Sequence, residues 1–249
     1  MVRQVAEGLD AMSSTGAPDP SQARAARGAG LAFLTAIVVV ILANYGVNFR
    51  LIVPGDAMAT ARNVLAHEGL FRLNLACNIL YAGVLLGLSV ALYRVLRPAG
   101  EGLALLAMLC RMTLALMWCL TALNSLGALR LLQGTPYLAA FGTDQAQVLA
   151  RLQLASSYDA YYVGLPFWGL ASTLCCWLWV RSGLIPRWLA IAGVSASAWA
   201  VFCAFAFLAS PRFDRVIGAS WFDLPLLLFE LALGLRLLIK GLDAPSKVS

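Results

Sequence analysis

Residues 102–126 read GLALLAMLCRMTLALMWCLTALNSL, with Arg111 the one charged side chain in the run. Wound as a helix rising 1.5 Å per residue, such a stretch reaches about 38 Å. That exceeds the roughly 30 Å of hydrocarbon in a bilayer. Five further runs have comparable length and character, at approximately Leu31–Phe49, Leu70–Tyr93, Tyr161–Val180, Trp188–Ala209 and Trp221–Ile239. A backbone in lipid must satisfy its own hydrogen bonds, so each run is expected to be a helix. The fold expected is all-α, a polytopic transmembrane bundle of six spans.

Composition agrees. Of the 249 residues, 61% are hydrophobic and 12% charged, with mean hydropathy +0.81. A soluble domain carries about a quarter charged residues, so a soluble globular protein is excluded, and so is a disordered chain. The excess of 18 basic over 12 acidic residues contains no basic run of five or more, so nucleic acid is not expected as a partner. Membrane lipids are expected to surround the protein; the oligomeric state is left open. All six cysteines fall inside apolar stretches and none forms C-x-x-C, so they read as small core side chains.

Residues 1–28, rich in Ala, Gly, Ser and Pro, read as a disordered tail, followed by a membrane domain over 29–242 and a C-terminal tail over 243–249. The apolar stretch starts too far from Met1 for a secretory signal, so the tail is expected to be retained. Between the first two spans, Asp56 precedes Ala57, Ala61, Val64 and Leu65 at helical spacing. That is the pattern of a short interfacial helix with Asp56 as N-cap. A second such helix is expected over Asp144–Ser156, running into the fourth span, where Pro166 can kink it.

The connection at Val53-Pro54-Gly55-Asp56-Ala57 and the stretch Ala66-His67-Glu68-Gly69-Leu70-Phe71-Arg72 resemble the first loop of a bacterial membrane-protein family known as domain of unknown function 4386. Cys110-Arg111, Arg181-Ser182-Gly183-Leu184-Ile185-Pro186-Arg187, Phe229-Glu230-Leu231 and Leu238-Ile239-Lys240-Gly241 resemble it further along the chain. The resemblance covers about residues 28–242. It implies a six-helix protein of the bacterial inner membrane and no particular activity. The family pattern places a histidine before the acidic residue of the fourth span. Tyr158 precedes Asp159 here, so no metal or proton-relay role is carried over to that position.

Charges at membrane depth are costly, starting near 2.5–3.5 kcal/mol for one at a helix centre. Arg111 and Glu230 are each the tenth residue of their spans, which places both near the midplane and suggests an ion pair. Asn44 with Asn48, and Asn74 with Asn78, are four apart, each pair on one helical face near the same end of its span. Asp159 lies at that end of the fourth span, and Asp223 seven residues before Glu230. These eight residues are expected to gather in a polar pocket between the first, second, third and sixth spans, with Asp159, His67 and Glu68 at its rim. Interhelical hydrogen bonding without a pocket is the alternative. The tyrosines and tryptophans near span ends read as an interfacial belt.

A lone histidine cannot build a multi-histidine zinc site and no H-E-x-x-H occurs, so no metal and no cofactor is expected. No G-x-S-x-G occurs either. Three functions remain: a protein that binds or moves a small amphiphilic or anionic ligand, a membrane-embedded enzyme acting on a lipid or isoprenoid, and a structural subunit of a complex. The first ranks highest because no nucleophile–base constellation is present.

Orientation follows from the basic residues. The end holding both termini and the two short connections carries ten, from Arg3 to Lys247; the other carries seven, from Arg50 to Arg215. Both termini are therefore expected in the cytoplasm. In a background freed of native cysteines, Gly100→Cys should resist a membrane-impermeant thiol reagent added from outside, while Ser210→Cys is labelled. Labelling of Gly100→Cys from outside would invert the topology.

Overall fold

The computed structural model describes residues 19–53, 56–134, 142–210, 213 and 219–243. Seven helices account for most of them: α1 (Pro20–Ile41), α2 (Ala57–Ala66), α3 (Glu68–Leu96), α4 (Glu101–Leu132), α5 (Thr143–Ser182), α6 (Arg187–Ala209) and α7 (Ala219–Ile239). No strand occurs among the described residues. α1 continues through a π-helical stretch, Leu42–Asn48, into Phe49–Leu51. Five helices, those containing α1, α3, α4, α5 and α6, are long and apolar enough to cross a membrane. α7 is of spanning length but carries Asp223, Glu230 and Arg236, and stands outside that set.

The long helices form a closed ring. α1 packs on α3, α3 on α4, α4 on α5, α5 on α6, α6 on α7, and α7 returns to α1. The connections over 97–100 and 183–186 lie at one end, here the short-loop end, and the long connections at the other. The outer surface is apolar: Val38, Phe49, Leu116 and Trp188 are each more than 60% exposed. A contiguous apolar exterior of this kind is what a helix bundle shows to lipid. The buried polar residues Asn74, Asn78, Arg111, Ser125, Ser157 and Ser172 face inward instead.

The start of the first helix differs from the sequence expectation. Helix α1 begins at Pro20 rather than near Ala29: Asp19 caps it through both the amide and the hydroxyl of Ser21, and Pro20 sits at the first helical position. Those two bonds hold the Asp19 carboxyl below its ordinary range. Gln22 donates to the Val95 carbonyl at 2.8 Å, and Ala26 and Ala29 are fully buried. Small side chains that looked like linker composition are therefore a packing face. Residues 1–18 and 244–249 of the expected tails lie outside the described residues. Of the two interfacial helices, one stands alone as α2, with Asp56 accepting from the Ala59 amide at 2.9 Å. The other is the first part of α5, whose 40 residues run unbroken past Pro166.

Close backbone approach holds the ring together, as small residues do between helices in lipid. A Cβ on Gly30 would lie 2.7 Å from the Gly234 carbonyl oxygen and 2.8 Å from the Leu238 amide nitrogen. A proline defect is repaired across helices. Pro225 has no N–H for the Trp221 carbonyl, and the Trp199 indole N–H donates to that oxygen at 3.2 Å. Gly30→Val should destabilise the protein by about 1–3 kcal/mol through overpacking against backbone that cannot move aside. Gly87→Val, where no atom lies within 4 Å of the new Cβ, should leave the unfolding temperature in detergent nearly unchanged. Equal losses for both would remove the α1–α7 contact as the cause.

Candidate functional site

Asn48 from the π-helical stretch that continues α1, Asn74 and Asn78 from α3 and Asp223 from α7 line one cavity of about 300 Å³ toward the long-loop end. The i, i+4 spacing of the two α3 asparagines puts both amides on its wall. The Asn74 side-chain N–H donates to the Asn48 Oδ1 atom at 2.7 Å. The Asn74 Oδ1 atom is buried with no partner among the described residues. Asn78, 4% exposed, lines the same cavity, and its amide is paired with no other group among the described residues.

α4 and α5 supply the rest of the wall. Trp118, Thr121 and Ser125 come from one face of α4, and Ser157, Tyr158 and Tyr161 from α5. Thr121 donates to the Ser157 carbonyl at 3.2 Å, and the Ser125 and Ser157 hydroxyls are 3.0 Å apart. The cavity thus lies among α1, α3, α4, α5 and α7, with α5 as a wall where the sequence suggested a rim. Spacing of 118, 121 and 125 at i, i+3 and i+7 was the signal available for the α4 contribution.

The space continues in both directions. A deeper chamber of about 90 Å³ shares Trp118, Tyr161 and Asp223, and adds Tyr81, Trp168 and Glu230 among aliphatic side chains. An outer groove of about 390 Å³ shares Ile52, Leu154 and Tyr158, and is roofed by α2 through Asp56, Thr60 and Ala61. Trp118 stands between Tyr81 and Tyr161, at centroid distances of 4.6 and 5.8 Å. Tyr161 and Trp168 therefore belong to the interior rather than to an interfacial belt, and Trp179 is fully buried. Trp177, Trp188 and Trp221 are exposed as belt residues would be.

The other expected residues are elsewhere. Arg111 is buried in contact with Ser172, whose hydroxyl is 3.5 Å from Nη2, and its guanidinium lies 5.8 Å from the Phe33 ring centroid. It borders a space of only about 10 Å³ with Leu92, Leu96 and Ala104, toward the short-loop end. Glu230 accepts from the Trp168 indole at 3.1 Å and forms no salt bridge with Arg111. Side-chain direction explains the separation. Cα–Cβ bonds tilt toward a helix's N-terminus; α4 starts at the short-loop end and α7 ends there. Equal depth therefore sends Arg111 one way and Glu230 the other.

Asp159 is exposed and lines none of these spaces. His67 closes α2, with Nδ1 3.2 Å from the Asn63 carbonyl oxygen. Glu68 pairs with Arg72 at 2.6 Å. Neither borders the cavity. The side chain of Asn44 lies outside the described residues.

Comparison with known proteins gives a family. The family model described as domain of unknown function (DUF4386) matches residues 28–241, most of the chain. No curated protein and no solved structure shows significant similarity to it.

The Trp168–Glu230 bond can be tested by a double-mutant cycle. Trp168→Phe and Glu230→Leu should each lower stability, and the double variant should lose no more than Glu230→Leu alone. A hydrogen bond to a charged group contributes about 1.5–3 kcal/mol, so the two effects should overlap by that order. Strict additivity in thermal unfolding would show that the bond does not form.

Proposed function

The chain belongs to the DUF4386 family, and we propose that it is a six-span protein of the bacterial inner membrane that binds a small amphiphilic ligand in the cavity lined by Asn48, Asn74, Asn78 and Asp223. In this reading α7 is the sixth span, both termini are cytoplasmic, and the cavity lies toward the outer side. The groove beneath α2 serves as the approach, and surrounding lipid is the partner on the apolar exterior.

The observation that carries the reading is the buried, unpartnered Asn74 oxygen, with Asn78, likewise 4% exposed, lining the same cavity. Leaving a buried polar group unsatisfied costs about 1–3 kcal/mol. Had these asparagines served only to join helices, their polar atoms would be paired across the contact, as Ser125 and Ser157 are. Amides turned toward open space are instead available to a guest or to water. Apolar walls with a few convergent polar groups are the usual character of a small-molecule site.

No observation favours the enzymatic alternative. The paired hydroxyls of Ser125 and Ser157 have no imidazole beside them, since His67 lies outside the cavity. A nucleophile needs such a base within hydrogen-bond reach.

Native mass spectrometry of the detergent-purified protein tests the reading. The wild type should retain a bound small molecule, and Asn78→Leu should lose it while keeping its unfolding temperature within a few degrees. Replacing an unpaired amide by an apolar group of similar volume removes a desolvation cost, so the variant should be at least as stable. Retention of the same mass by Asn78→Leu would place the ligand elsewhere.

A further inference from the structure

We infer that the ligand carries a positive charge: the two chambers form a receptor for an amphiphilic ammonium, with Asp223 and Glu230 as counter-charges and an aromatic wall between them. This rests on the binding reading above and names its ligand class.

The charge arrangement leads there. Of the ionisable side chains held between the helix ends, Asp223 and Glu230 face the chambers, while Arg111 turns away toward Ser172 and Phe33. Among the described residues, no lysine, arginine or histidine lines either chamber. With all three groups ionised, two negative charges and one positive leave the interior one negative charge in excess. An uncompensated charge at that depth is costly, and one bound cation would cancel it. An anionic guest would double the excess.

The walls fit the same guest. Asp223 stands where the two chambers meet and makes no hydrogen bond among the described residues; Glu230 lies one residue heptad deeper, about 10 Å along α7. Tyr81, Trp118, Tyr161 and Trp168 surround the space between them. Aromatic faces attract ammonium groups, by about 2 kcal/mol or more when desolvated. Aliphatic side chains from α1 and α7 (Ile37, Val40, Leu227) complete the deeper chamber and suit an alkyl or aryl tail. Asn78 lines the outer chamber, as Asp223 does, and its amide can bond a polar substituent.

Three probes of similar size and different charge separate the outcomes: benzyltrimethylammonium, neutral N,N-dimethyl-2-phenylacetamide and anionic phenylmethanesulfonate. Each is titrated against detergent-purified protein by intrinsic tryptophan fluorescence, with Trp118 and Trp168 in the walls, and by the shift in unfolding temperature. Benzyltrimethylammonium should bind at least tenfold more tightly than the neutral amide, and the sulfonate not measurably. Asp223→Asn and Glu230→Gln should each weaken the cation at least tenfold and leave the amide unchanged. Asp159→Asn, on the exposed face of α5, should change nothing. Size-exclusion profiles establish that the variants fold, and either carboxylate variant alone suffices. Equal affinity for cation and amide would overturn the charge assignment and leave the cavity reading standing. Preference for the sulfonate, no change in both folded carboxylate variants, or no binding of any probe would overturn it too. Retention of a ligand by Asn78→Leu decides the cavity reading separately.

Discussion

Hydrocarbon offers no hydrogen-bond partner, and that constraint organises this molecule. Polar groups between the helix ends are expected to find their partners within the protein. Ser89 bonds back to the Leu85 carbonyl, Ser197 to Gly193 and Thr173 to Gly169, each within its own helix. The Trp221 carbonyl released by Pro225 is taken up by Trp199. Against that background of local satisfaction, the Asn74 oxygen stands out because it is buried without a partner among the described residues, beside a cavity that Asn78 also lines. Trp179 Nε1 and Arg236 Nε are also without partners among the described residues, but both lie toward the short-loop end, away from the cavity.

The same constraint governs the two deepest charges. Breaking a buried ion pair is costly, yet a pair gains little over a good apolar packing. Here the two do not touch: the guanidinium contacts an aromatic face and a hydroxyl, and the carboxylate accepts from an indole N–H. Dividing the charges leaves the carboxylate at a cavity wall. A direct salt bridge would have occupied its lone pairs and closed the space between α4 and α7. The separated arrangement leaves Glu230 lining the deeper chamber.

Much of the architecture could be read in the chain because long apolar runs admit one solution in lipid. Each of the six runs coincides with a helix, and Asp56 caps α2 as its spacing requires. The asparagine face of α3 was legible for the same reason, since the i, i+4 pair Asn74 and Asn78 fixes a direction. Depth alone misled at Arg111 and Glu230, where chain direction sets the tilt of the side chain. Composition misled at 20–28: Ala and Gly look like linker until Ala26 is seen fully buried. Tyr161 and Trp168 were lost to position, because a residue near a span end reads as interfacial whichever way it faces. Asp159 was lost to the opposite error, an acidic residue at the right height on the wrong face.

Irregular backbone is concentrated in the helices that line the chambers. α1 widens into a π-helical stretch that ends at Asn48, α5 contains Pro166 two residues before Trp168, and α7 contains Pro225 between Asp223 and Glu230. Such defects are tolerated at membrane depth where they are buried in protein or line a cavity. They also bring the chemistry into line, since a π-helical turn shifts the face that follows it and a proline loosens the backbone near its site. Yet α5 and α7 remain continuous through their prolines, and α3 and α4 are regular along their whole length. Transporters that rock about a central site use paired, unwound half-helices to do so. The described helices form instead a ring of continuous helices closed on itself, with no such paired, unwound halves among the described residues.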